Sequence, residues 1–264
     1  MNTVFDKIYI VSLISNSNRR KFIDKQFQDL GIDFEYIYGV DFHNLKTDAS
    51  GNPIQYPDVF YQYRNSNPDR DFGCALTHYM AIRQAYEFRY DKILIIEDDI
   101  CLLKNKELIE YYLNNIPHDA DYVSWDPRFS SEYEYNKFLE ELKNDNEPFI
   151  KFSPDYMFLI GGMMYGLMNR KTIEFYVQQQ HKSFHMSDNV VGVNEGSNNL
   201  IQRYVSSQCI CTDQFNIQND FNIRDTYGNL FYFNIYNDVQ HLNKEDFYYP
   251  DNFSTHTRLY NIYI

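Results

Sequence analysis

Ile8-Tyr9-Ile10-Val11-Ser12-Leu13 is a short apolar run rich in β-branched residues. Such a run suits a strand covered on both faces in a parallel sheet. Ser15-Asn16-Ser17-Asn18 punctuates it, and Ser17 or Asn18 can cap a helix. Phe22, Ile23, Phe27 and Leu30 follow at helical spacing, and Gly31 is a good stop. Phe34-Glu35-Tyr36-Ile37-Tyr38 then reads as a second strand. A strand–helix–strand unit of this kind opens a doubly wound α/β fold.

The stretch from Asp41 to Arg70 is polar and rich in Pro, Asn and Asp, and reads as a long loop. From Asp71 a helix is predicted, with Ala75, His78, Tyr79, Ile82, Ala85 and Tyr86 on one face. Lys92-Ile93-Leu94-Ile95-Ile96 is another buried strand, and it ends in Glu97-Asp98-Asp99. A helix over 106–116, a strand over 122–125 and a charged peripheral helix over 132–143 follow. Residues 158–168 read as one or two strands with a glycine bend at Gly161-Gly162. Helices are predicted over 171–180 and 198–205, and the remainder is Asn- and Tyr-rich with weak periodicity. The expectation is a single domain over 1–264 with no internal repeat.

The chain carries a net charge of −13. Nucleic-acid binding needs a basic footprint, and none is visible. No Lys/Arg run suggests an anionic membrane patch, and no apolar stretch approaches a membrane span. Asp6 and Lys7 interrupt the N-terminus before any apolar stretch of signal-peptide length. The 25 Tyr and 21 Phe against one Trp read first as AT-rich coding, since Asn, Ile and Lys are also abundant. Cys209-Ile210-Cys211 lacks a second pair at zinc spacing, so Cys74, Cys101, Cys209 and Cys211 read as reduced thiols, with Cys74 a packing residue. The expected location is cytoplasmic.

Three carboxylates at the end of an apolar strand are costly unless paired or bound to metal. Ligands in α/β sheets gather at the carboxyl ends of strands. In an extended backbone Glu97 and Asp99 lie on one side, where they can hold a hard divalent cation that also takes diphosphate oxygens. An acidic chain needs such a bridge to an anionic nucleotide. The bland alternative is a strand running into a solvated acidic turn.

Context favours the bridge. Asp71-Phe72-Gly73-Cys74-Ala75-Leu76-Thr77-His78, a helix, and then Ile93-Leu94-Ile95-Ile96-Glu97-Asp98-Asp99 resemble the central signature of glycosyltransferase family 25. Ile8 to Leu13 with Arg19-Arg20, and Tyr38-Gly39-Val40-Asp41, are similar to the family's opening. Gly162 to Arg170 resembles its glycine-to-arginine strand, and Ser187-Asp188 its downstream acidic position. Thr77 stands where Ser is usual, and beyond Cys209 little matches except Gln218.

The resemblance implies a GT-A-type, Rossmann-like, mostly parallel sheet flanked by helices. Residues 1 to about 125 would hold the nucleotide sugar and residues 126–264 the acceptor side. It implies transfer of a hexose, galactose or glucose, from UDP-galactose or UDP-glucose to a glycan or a hydroxylated protein. The transfer would invert the anomeric centre, use Mn²⁺ or Mg²⁺, and fit lipopolysaccharide biosynthesis. Asp99 is then a metal ligand, while Glu97 and Asp98 share metal, ribose or sugar contacts. Ser12, Leu13, Arg19 and Arg20 flank the donor nucleotide. Asp188 is the candidate base for the acceptor hydroxyl, or else a turn cap. His78 either packs in the core or contacts donor or metal. His241 and His256 are further possible ligands that nothing in the spacing selects. Two other readings compete: a non-catalytic glycan or nucleotide-sugar binder on the same scaffold, and a metal-dependent phosphatase of the Asp-x-Asp type. The phosphatase pattern has Asp first, where this chain has Glu97.

Overall fold

The structure, a computed structural model, describes residues 4–42, 44–45, 47–61, 67–125, 128–129, 132–144, 147–151, 165–184, 200–213, 233–234, 242 and 244–249. In chain order the elements are β1 (Lys7–Leu13), α1 (Ser17–Leu30), β2 (Glu35–Gly39), α2 (Pro68–Glu87), β3 (Lys92–Glu97) and β4 (Ile100–Leu102). Then come α3 (Lys106–Asn114), β5 (Tyr122–Ser124), β6 (Arg128–Phe129), α4 (Glu132–Asn144), β7 (Phe149–Lys151) and β8 (Tyr165–Asn169). The last are α5 (Arg170–Lys182), β9 (Arg203–Ser206), β10 (Cys211–Asp213) and β11 (Phe233–Asn234).

Seven strands form one sheet in the order β2-β1-β3-β8-β5-β9-β7. Five run the same way; β8 and β7 run against them. The α/β class with a mostly parallel sheet is therefore the architecture observed. Both faces of its centre are covered. Ile8, Ile10, Leu94 and Ile96 pack with Ile23, Phe27 and Leu30 of α1. Tyr9, Val11, Ile93 and Ile95 pack with Ala81, Ile82 and Ala85 of α2 and with Ile173, Tyr176 and Val177 of α5. Period-two alternation between two apolar faces is why these strands read as continuous apolar runs. Each fully buried Ile or Leu contributes about 1.5–3 kcal/mol, so β3 is a firm base for the acidic turn at its end.

Local signals set the helix ends. Gly31 closes α1 with φ 67°, a left-handed position that glycine adopts without strain. Helix α2 begins before Asp71: Asn67 caps it by accepting from the Arg70 amide, and Pro68 takes the first turn. Asn105 likewise accepts from the Leu108 amide to start α3, which ends at Asn114 because Pro117 disfavours helix at Ile116.

Two expectations change. The helix predicted over 198–205 is not found: Arg203–Ser206 is strand β9 between β5 and β7, and 198–199 lie outside the described residues. Buried Arg203 and Val205 alternate with the more open Tyr204, a two-residue period that sheet pairing enforces. Helix α4 is more than peripheral, because Tyr135 and Phe138 lie in the core. Of the strands predicted over 158–168, β8 begins at Tyr165, and 158–164 lie outside the described residues. Among the described residues no helix is long and apolar enough to cross a membrane.

Strand β2 meets α2 closely. A Cβ on Gly39 would overlap the Thr77 hydroxyl, which donates to the Gly73 carbonyl at 2.7 Å. Gly39→Ala is expected to cost about 1–3 kcal/mol through overpacking. Thermal melts check this, with recovery expected in the double variant Gly39→Ala, Thr77→Ala. An unchanged midpoint in the single variant would show that the close approach does not constrain the fold.

Candidate active site

After β1 the chain steps to β2 on one side and then crosses back to β3 on the other. Helices α1 and α2 consequently cover opposite faces. A switch point of this kind opens a crevice at the carboxyl ends of the two diverging strands. Ser12 and Leu13 end β1 there, and Glu97-Asp98-Asp99 end β3 beside them, with Val11 in register with Glu97.

The three carboxylates divide. Extended backbone was expected through Asp99, but the strand stops at Glu97 and residues 98–99 form a turn. Asp98 faces inward and is 5% exposed. It accepts from Ser12 Oγ at 2.6 Å, Asn16 Nδ2 at 3.0 Å and Arg19 Nη1 at 2.9 Å. This network ties the end of β3 to the β1–α1 turn. Arg19 Nη1 also lies 3.5 Å from Asp99 Oδ2. Glu97 looks the other way, toward α2: its Oε1 is 3.5 Å from His78 Nε2 and 3.7 Å from Cys74 Sγ. The side chains of Glu97 and Asp99 keep 25% and 22% of their surface exposed.

The arginines are also distinct. Arg20 Nη2 donates to the Ile14 carbonyl at 2.7 Å, and Nη1 reaches the Leu13 carbonyl. Its guanidinium sits 5.4 Å from the centre of the Tyr38 ring, a cation–π distance. Arg20 thus holds the β1–α1 turn in shape, while Arg19 neutralises the acidic cluster. The Tyr36 hydroxyl donates its one hydrogen toward Asp24 Oδ1 at 2.9 Å, with the Arg20 carbonyl as a second acceptor at 3.1 Å; burial, and then the bond to Asp24, pushes its pKa well above the ordinary phenol value.

His78 is 1% exposed, yet its ring reaches the cluster. It is packed in the core, and its Nε2 lies 3.5 Å from Glu97 Oε1 at the edge of the acidic cluster. Cys74 is a correction. It is exposed, with its sulfur beside His78 and Glu97, and does not pack in the core. Cys101, Cys209 and Cys211 are the buried thiols. Sequence reasoning also passed over Asn16, whose signal was its place among the punctuating polar residues after β1. Asp188, Ser187, Gln218, His241 and His256 lie outside the described residues.

Residues 5–156 match the family described as glycosyltransferase family 25 (LPS biosynthesis protein). That is more than half of the chain, and it contains β1, α2 and the whole acidic cluster. The chain belongs to glycosyltransferase family 25. Among curated protein sequences, none is significantly similar to it. Among solved structures, the chain is similar to a glycosyltransferase involved in glycosylation of the major capsid of PBCV-1. That pair shares 12% identity over 75% of this chain and 80% of the other, with a TM-score of 0.40. A protein from STIV shares 12% identity over 76% and 81% of the chains, with a TM-score of 0.32. The galactosyltransferase LgtC, solved with donor and acceptor sugar analogues, shares 13% over 74% and 70%, with a TM-score of 0.35. These TM-scores are too low to carry weight beside the family match. Glycosyl transfer is the activity of the family, and the switch-point crevice is where this member holds its acidic cluster.

Proposed function

We propose that the chain transfers a hexose, galactose or glucose, from a UDP-sugar to a glycan or protein hydroxyl, with inversion. The observation that carries the reading is the acidic cluster at the carboxyl ends of β1 and β3, within the family-matched segment. Glu97 and Asp99 are partly exposed oxygen donors, a chemistry that fits Mn²⁺ or Mg²⁺. They would hold the cation, with Asp99 the principal ligand; the cation supplies Lewis-acid stabilisation of the departing diphosphate. Ser12 and Leu13 line the nucleotide side of the crevice, on a turn whose shape Arg20 and Asp98 maintain. Arg19 offsets the negative charge beside which an anionic donor must bind.

Asp188 is proposed as the base that takes the acceptor hydroxyl proton while the oxygen attacks the anomeric carbon. The bond to UDP breaks on the opposite face, which gives inversion. Residues 1 to about 125 form the donor half in this reading, and 126–264 the acceptor half. A cytoplasmic setting fits the four thiols.

The test is a screen for UDP release from a panel of UDP-sugars with Mn²⁺, Mg²⁺ or chelator. Release from UDP-galactose or UDP-glucose that needs the cation is expected. Absence of release and of any nucleotide-induced thermal shift, with every donor and either metal, would sink the reading.

A further inference from the structure

We propose that Cys74, His78 and Glu97 form a second, chemically different cation site that takes a thiolate-accepting divalent ion of the zinc class. One sulfur, one imidazole nitrogen and one carboxylate oxygen lie within 4.8 Å of one another. Two separations among these groups are 3.5 Å, from His78 Nε2 to Glu97 Oε1, and 3.7 Å, from Cys74 Sγ to the same oxygen. Zinc bonds of about 2.0–2.1 Å to nitrogen or oxygen and about 2.3 Å to sulfur, spread tetrahedrally, set ligand separations of roughly 3.3–3.6 Å. These two separations are close to that range, and the third, from sulfur to imidazole nitrogen, lies within 4.8 Å, so closure on an ion draws Cys74 and His78 toward each other.

The imidazole is oriented as a metal ligand would be. His78 Nδ1 lies 3.1 Å from the Cys74 carbonyl. A carbonyl only accepts, so Nδ1 carries the hydrogen and donates it. Nε2 is the nitrogen that faces Glu97, and it is the atom a bound ion would take. A ligating histidine whose other nitrogen donates to a backbone carbonyl is the usual outer support of a zinc site.

The support is rigid and the entrance is open. Cys74 and His78 sit one helical turn apart on α2, on the same face. Glu97 closes β3, which is paired with both β1 and β8. His78 is buried, whereas Cys74 is exposed, so an ion arrives from solvent past the sulfur. Thiolate and imidazole together select zinc-class ions over Mg²⁺ and Mn²⁺, which prefer carboxylate, carbonyl and water. The site shares Glu97 with the oxygen-donor cation proposed on Asp99 and Glu97, and differs from it in its sulfur and nitrogen donors. It does not depend on any sugar nucleotide being bound.

Co²⁺ is the probe, added to the full metal-free chain without nucleotide. A thiolate-to-cobalt charge-transfer band in the near ultraviolet is expected, displaced by one equivalent of Zn²⁺. Cys74→Ser should abolish the band and weaken Zn²⁺ binding at least as much as the roughly 10–100-fold lost when a supporting residue of a metal site is removed. His78→Gln should weaken it similarly. If that variant does not fold, Cys74→Ser at its exposed position still decides. Asp99→Asn should keep the band, so failure of the transferase reading leaves this result intact. No band in the unmodified chain, or a band that survives Cys74→Ser, would overturn the proposal.

Discussion

Asp99→Asn is expected to lower sugar transfer by about a hundred- to a thousandfold, the range seen when one group that stabilises developing charge is removed. The change keeps the size of the side chain and deletes its charge. Asp99 stands at the mouth of the switch-point crevice, partly exposed, and its ion pair to Arg19 is long, at 3.5 Å. Losing a partly solvated pair of that length costs about 0–1 kcal/mol, so the fold should persist. Steady-state kinetics against donor and cation, beside a thermal melt, check both halves. Retained activity would remove Asp99 from the metal role. A large drop in melting temperature that tracks the loss would make its role structural instead.

Asp98→Ala is expected to have the reverse profile, with the largest effect on stability. Its carboxylate is buried and receives three donors from the β1–α1 turn. Truncation leaves Ser12 and Asn16 without that acceptor and leaves Arg19 with the more distant Asp99 as an anionic partner. Breaking a buried pair costs about 3–5 kcal/mol. The lower end applies because the Arg19 side chain is 30% exposed. For a chain of this size that is a fall of roughly 6–12 °C in melting temperature. Activity should fall with it, since the turn carrying Ser12 and Leu13 loses its anchor. A midpoint within a degree or two of the parent would show that the network does not hold the turn.

Much of this was legible because it was written in periodicity. The apolar runs at Ile8 and Ile93 announced strands covered on both faces, and the structure covers both faces. The Gly73 to His78 signature and the three carboxylates pointed to the candidate site, and the fold brings them together. The strands at 100–102, 149–151 and 211–213 were missed, because three residues cannot display a period. Strand β9 was misread because its neighbours in space, β5 and β7, are remote in sequence. The division of labour among the carboxylates was hidden for a related reason. It depends on where β3 stops, and the turn at 98–99 sends Asp98 toward α1 while Glu97 faces α2. The part played by Cys74 needed the helix and the strand end to be brought together.

The place of β8 has a consequence for how this protein is made. Strand β3 is flanked by β1 on one edge and by β8 on the other, yet β8 lies at 165–169. During synthesis the N-terminal strands emerge first, with the apolar edge of β3 waiting for a partner some seventy residues behind it. An unpaired apolar edge is a template for wrong pairings between nascent chains. Termination after residue 156, at the end of the family-matched segment, would leave that edge open permanently. Expression of such a fragment should yield aggregates, while extension through α5 supplies both the missing strand and the helix that seals its face.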